Sequence, residues 1–220
     1  HDLRTPLTVL AGLADSLPLA GPPLPEAQAE IAQAIRTESL RTSLLVSNLL
    51  DMARLQEGSI RLKREWQPLD EVIVAALQSL STQLSRHSIH VDLPAELPLV
   101  EFDAVLMERV FCNLLENAVK YTPPGSRIEI SAYRDGDRIC VSVADNGPGL
   151  PPGKEDALFE KFTRGQEESH VTGVGLGLAI VRAIVEAHHG TVHAENRKEG
   201  GARFVISLPA GEPPEVPGEA

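Results

Sequence analysis

The chain has 220 residues, 42% hydrophobic and 23% charged, with a net charge of −11. That is enough for one large or two small cores of ordinary soluble composition. The negative charge argues against a nucleic-acid backbone as a general partner, and no run of Lys or Arg forms a basic patch. No apolar run approaches the roughly 18 residues that span a bilayer, and no signal peptide is present. The first residue is His1 rather than Met, so the chain reads as a fragment of a longer protein.

Leu3, Leu7, Leu10 and Leu17 recur at near-helical spacing before GPPLP (21–25) breaks the pattern. A second helical pattern runs from Glu26 to about Glu57, with Ile31, Ile35, Leu44, Leu45, Leu49, Met52 and Leu55 on one side. A helical hairpin buries little by itself, so the apolar stripe predicts pairing with a second copy into a dimeric four-helix bundle.

The texture changes after Gly58, and a domain boundary is expected near 58–66. SIRLKREW alternates like a strand, LDEVIVAALQSLSTQL is helical, HSIHVDLP is a strand and DAVLMERVFCNLLENAVKYT is a long helix stopped at TPPG. RIEISAYRDGDRICVSVADNG reads as a hairpin around Asp135-Gly136. The segment Gly153–Gly175 is a polar loop with one short helical piece. LGLAIVRAIVEAHHG is a buried helix, TVHAENRKEGGARFVISLP a closing hairpin, and GEPPEVPGEA a disordered tail. The sum is an α+β chain whose second part is a layer of antiparallel strands covered by helices. Cys112 and Cys140 lie in apolar surroundings and read as buried, reduced thiols of a cytoplasmic domain.

Chemistry concentrates in three places. DNGPGLP (145–151) and GVGLGLAIV (173–181) are glycine clusters, and the second runs straight into an apolar helix. Glycine lets backbone N–H groups approach phosphate oxygens, and a helix N-terminus adds partial positive charge. The spacing matches neither the P-loop nor the dinucleotide fingerprint. The third place is NLLENAVKY, where Asn113 and Asn117 fall on one helical face with Lys120 nearby. Buried carboxamides need partners. They serve either as structural hydrogen-bonding groups or as oxygen ligands for Mg²⁺. Asp145, at a strand end before a glycine turn, is a turn-former or an acceptor for a base amine.

Taken in order, NLLENAVKYTPPGS, DNGPGLP, LFEKFTRG and GVGLGLAIVRAIVEAHHG resemble the N, G1, F and G2 boxes of sensor histidine kinases, and HDLRTPL resembles their phospho-acceptor box. The resemblance covers nearly the whole chain, is nearest to the potassium-responsive branch of that family, and carries the rest of this paragraph and the next. It implies a phospho-acceptor and dimerisation domain over 1–62, an α/β-sandwich ATP-binding domain of the Bergerat type over 63–209 and a tail over 210–220. Asn117 would hold Mg²⁺ with Asn113 assisting. Lys120 and Tyr121 would touch phosphate and nucleoside, and Asp145 would accept from the adenine amine, with Gly147 and Gly149 allowing the turn. Phe159, Phe162 and Arg164 would belong to a lid, and Gly173, Gly175 and Gly177, followed by Leu178, to the phosphate-binding segment.

His1 would be the nucleophile toward the γ-phosphate of ATP, and its ordinary pKa of about 6.5 leaves it mostly neutral. Asp2 would fix its tautomer, and Thr5, one turn on, would orient water for dephosphorylating a partner. The implied partners are a second copy and the receiver domain of a response regulator. The implied location is the cytoplasmic side of an inner-membrane sensor, with any membrane contact made through missing upstream segments. The family's first bundle helix starts before the acceptor histidine, so this chain is expected to dimerise poorly. Two alternatives stay open: an ATPase of the same fold, of the gyrase kind, in which Glu116 would serve as base, and a nucleotide-binding dimeric scaffold without transfer. The other histidines show no ligand spacing; His188 and His189 occupy a favourable last helical turn.

Overall fold

A computed structural model describes residues 4–17, 21, 24–56, 62–160 and 175–211. The chain divides into two compact units, His1–Glu57 and Gly58–Ala220. The first is a hairpin of α1 (Arg4–Ser16) and α2 (Glu26–Gln56). Among the described side chains, Ala11, Ala14, Ala32 and Ser39 are buried, whereas Leu13 and Ile31 are each 59% exposed and Val9, Leu17, Ile35 and Leu49 are also outward. An Arg36–Asp15 ion pair ties the two helices. Alanines let the helices approach closely but bury little apolar area, so the larger side chains remain for another surface.

The second unit runs β1 (Glu65–Gln67), α3 (Leu69–Ser79), α4 (Ser81–Leu84), β2 (Ser88–Asp92), β3 (Val100–Phe102), α5 (Ala104–Tyr121), β4 (Arg127–Asp135), β5 (Arg138–Asp145), a 3₁₀ turn (Ala157–Phe159), α6 (Gly177–Ala187), β6 (Thr191–Asn196) and β7 (Ala202–Pro209). Five strands form one sheet in the order β2-β4-β5-β7-β6, and β1 pairs with β3 separately. Alternation along β4 sends Ile128, Ile130 and Ala132 inward, opposite Asp145, Val143 and Val141 of β5. Helix α5 buries Met107, Val110, Phe111, Leu114 and Leu115, and it packs against α3, α6 and β5. The core is this helical layer on one face of the sheet. The other face is polar: Ser131 and Ser142 share a hydrogen bond of 2.8 Å, and Arg138 folds over Ser207.

Several expectations need correction. The sheet is mixed, because β2 runs parallel to β4; they are joined through α5, the helical crossover a parallel pair requires. The strand expected from Ser59 is confined, among the described residues, to Glu65–Gln67, and its partner β3 was not anticipated. The helix expected over LDEVIVAALQSLSTQL breaks at Leu80, whose φ of −102° and ψ of 11° leave the helical region. Cys140 is buried but Cys112 is only partly so; both thiols are free. The tail after Gly211 lies outside the described residues.

Candidate nucleotide site

Helix α5 organises the site. Asp103 caps it, its Oδ1 accepting from Leu106 N–H at 3.2 Å, and the helix stops at Thr122 before two prolines. Near its middle, Asn113 Nδ2 donates to Arg109 O at 2.7 Å, which turns Oδ1 toward the start of α6. A Cβ on Gly177 would lie 2.9 Å from that oxygen. One turn on, Asn117 Nδ2 is buried with no partner among the described residues. At the C-terminal end, a Cβ on Gly147 would sit 2.7 Å from Thr122 Cγ2 and 3.3 Å from Tyr121 O. Two separate glycine segments therefore lie against α5, one beside Asn113 near its middle and one at its C-terminal end. The rise from Asn113 to Thr122 is about 13 Å.

Asp145 ends β5 and is buried. Its Oδ1 accepts from Gly147 N–H at 2.8 Å and from Ala202 N–H at 3.3 Å. Among the described residues Oδ2 receives no donor. Gly149 follows at a φ of 83°, where a Cβ would also press on Asn196 Oδ1 at 2.5 Å, so only glycine fits. At the other end, α6 begins at Gly177 with Leu176 at the N-cap and no side-chain cap bond. Among the described residues its first N–H groups meet no side-chain acceptor, and they lie at the positive end of the helix dipole.

The remaining expected residues fall as follows. Lys120 Nζ lies 2.8 Å from the Tyr121 hydroxyl and 4.5 Å from the ring centroid. Phe159 is buried, edge-on to Phe204 at 6.3 Å with the Arg182 guanidinium 4.5 Å above its ring, so it anchors the loop to α6 and β7. Gly175 has a φ of 70° and Leu178 is half-buried beside it in sequence. Glu116 is exposed and points about 100° around the helix from Asn117. His1, Asp2, Phe162, Arg164 and Gly173 lie outside the described residues. Thr5 falls within α1, with nothing described of its side chain.

These features fit a nucleotide with a divalent cation. The orphaned Nδ2 of Asn117, the Gly177 and Gly147 cradles that a Cβ would fill and the α6 terminus without a side-chain cap match a phosphate chain beside the middle of α5 and a base at its C-terminal end. Among the described residues no three His, Cys, Asp or Glu side chains gather as a metal cluster. A cation here would rest on an Asn oxygen and phosphate oxygens, which suits Mg²⁺.

Sequence reading missed the supports behind the loop. Asn196 bonds both backbone groups of Leu150, Arg197 bonds the Asp145 carbonyl and Glu129, and His87 Nε2 lies 3.1 Å from Thr122 Oγ1. Their partners lie 35 or more positions away, and no local signal marks them.

Residues 102–212 match the family described as histidine kinase-, DNA gyrase B- and HSP90-like ATPase, and residues 1–58 match the His Kinase A (phospho-acceptor) domain. The chain belongs to the sensor histidine kinases. Among individual relatives, it is 53% identical over 218 residues to the sensor protein KdpD of Escherichia coli K12, covering 98% of this chain and 24% of that protein. It is 37% identical over 217 residues to KdpD of Mycobacterium tuberculosis, covering 96% of this chain and 25% of that one. The chain thus spans about a quarter of the length of these relatives. Among solved structures, full-length ShkA in complex with AMPPNP superposes with a TM-score of 0.81 at 29% identity, covering 95% of this chain and 44% of that one. The Acinetobacter baumannii histidine kinase AdeS gives 0.69 at 26% identity, covering 96% and 98%.

Proposed function

We propose that this chain is the catalytic part of a sensor kinase that binds ATP in the second unit, transfers the γ-phosphoryl group to His1 and passes it to an aspartate of a response regulator. The observation that carries the reading is α5. Its Asn113–Gly177 contact and the Asn117 Nδ2, without a partner among the described residues, lie along its second half, and the buried Asp145 behind Gly147 stands at its C-terminal end.

His1 supplies a ring nitrogen lone pair. The N–P bond forms as the bond from the γ-phosphorus to the bridging oxygen breaks, and that electron pair leaves with ADP. Asp2 accepts from the other ring nitrogen, holding the tautomer and easing the developing charge. Asn117, assisted by Asn113, would hold Mg²⁺, which neutralises phosphate charge and aligns the chain. The first N–H groups of α6 would receive phosphate oxygens, and Lys120, here 2.8 Å from the Tyr121 hydroxyl, would turn toward the bound nucleotide. Asp145 Oδ2 accepts from the adenine amine. Catalysis of this kind rests on positioning and charge neutralisation.

The exposed stripe of Leu13, Ile31, Ile35 and Leu49 supports a homodimer through the hairpin. The functional division is 1–62 for dimerisation and phospho-acceptance, 63–209 for nucleotide binding and 210–220 as a tail. The likeness to KdpD supports potassium or osmotic signalling, a KdpE-like receiver domain as partner and a place on the cytoplasmic side of a membrane-borne sensor. Thr5 would orient the water that removes phosphate from that partner.

The test is incubation with γ-labelled ATP and Mg²⁺ beside His1→Gln and Asn117→Ala, with acid and alkali treatment of the product. Label lost in acid, kept in alkali and missing from both variants is the expected result. ATP hydrolysis without label on the chain would replace the reading with an ATPase, and ATP binding without either would leave a scaffold.

A further inference from the structure

Arg197 and Asn196 stand at the β6–β7 turn, outside every motif that marks the site. The Arg197 side chain is 14% exposed. Its Nη1 donates to the Asp145 carbonyl at 3.1 Å, and its Nη2 lies 2.8 Å from Glu129 Oε2 on β4. Asn196 takes the other end of the loop with both of its amide atoms. Its Oδ1 accepts from Leu150 N–H at 2.6 Å and its Nδ2 donates to Leu150 O at 3.0 Å. The returning strand closes on the same point, since a Cβ on Gly201 would overlap the Asp145 carbonyl. The loop from Asp145 to Leu150 is therefore gripped at both ends by one hairpin.

We propose that Arg197 and Asn196 are positioning residues for adenine recognition, holding the loop so that the carboxylate of Asp145 faces the base in one orientation. The inference rests on reading Asp145 as the acceptor for the adenine amine. Asp145 Oδ1 is already committed to the N–H groups of Gly147 and Ala202. The direction of Oδ2 therefore follows wherever the backbone of the loop and of β7 is held. A fixed carboxylate oxygen accepts from an amine and repels a keto oxygen, so loop rigidity converts directly into base selectivity. Releasing the guanidinium leaves Glu129 paired with Arg127 alone and frees the Asp145 carbonyl, and the carboxylate can then turn or admit water.

The test titrates ADP and GDP calorimetrically into the full chain, its Arg197→Met, Arg197→Lys and Asn196→Ala variants, with thermal unfolding run on each. ADP affinity of Arg197→Met is expected to fall about tenfold, the order expected for a lost charge-assisted hydrogen bond. GDP affinity should stay level, so the ADP-to-GDP ratio shrinks. Arg197→Lys, keeping one donor, should recover part of the ratio, and Asn196→Ala, at a solvent-facing position, should move it less but in the same direction. Equal losses for both nucleotides, or an unchanged ratio in folded variants, would overturn the proposal. Should Arg197→Met fail to fold, Asn196→Ala decides alone. Failure of the site reading itself is separable, because the unmodified chain would then not bind ADP in preference to GDP.

Discussion

The imidazole of His188 joins the end of α6 to the start of α5. Its Nδ1 lies 2.7 Å from Ile184 O, and its Nε2 is 3.0 Å from the Asp103 backbone nitrogen. Carbonyl and N–H fix the roles: Nδ1 carries the hydrogen and donates, and Nε2 accepts. Desolvation pushes this imidazole below its ordinary range, with Arg64 and His189 acting the same way and the Ile184 bond and Asp103 opposing. The unfolded chain therefore takes up the proton first. Stability from His188 is complete above the unfolded value of about 6.5 and is lost as pH falls through the depressed folded value. In urea unfolding at stepped pH, the difference between the natural chain and His188→Gln should be largest above that pH and shrink below it; parallel curves would refute this. Gly149→Ala combines a φ of 83° with a clash on Asn196, and should cost about 1–3 kcal/mol in the same assay. Asp145→Asn should weaken ADP binding by tenfold or so, the scale of a buried hydrogen bond to a charged group, read by calorimetry.

Helix α5 shows why an element can be legible while its setting is not. Its periodicity, its cap at Asp103 and its stop before Pro123 are local signals. Helical spacing alone then places Asn113 and Asn117 on one face. Phe111 and Leu114 are fully buried, and replacing Phe111 by Ala should cost ~3–5 kcal/mol in chemical denaturation. The strands β1 and β3, three residues each, are too short to carry a period of two. They exist because each pairs with the other, Trp66 opposite Glu101, across the intervening helices and strand. The kink at Leu80 is equally silent in the sequence, since every residue around it accepts a helix. Parallel pairing of β2 with β4 is a property of the crossover, not of either strand's alternation.

At the scale of the molecule, the two compact units behave as separate cores. A polypeptide of residues 62–211 should therefore unfold cooperatively in calorimetry and bind ADP by itself; a broad, non-cooperative transition would contradict this. The hairpin has the opposite character. Among its described side chains the buried ones are mostly alanines while leucines and isoleucines face outward, so its stability is expected to depend on association. Ile35→Glu should shift the chain toward monomer in sedimentation, with nucleotide binding unchanged.

Sequence alone marked the residues proposed to carry chemistry and roughly where the helices run, because glycine spacing, paired carboxamides and hydrophobic period are local properties of the chain. Tertiary structure decided what holds those residues in place. The grip of Arg197 and Asn196 on the Asp145 loop, the link from His188 to Asp103 and the mixed sheet all join positions tens of residues apart. Such contacts depend on the closure of the fold, and nothing in the neighbourhood of either partner announces the other.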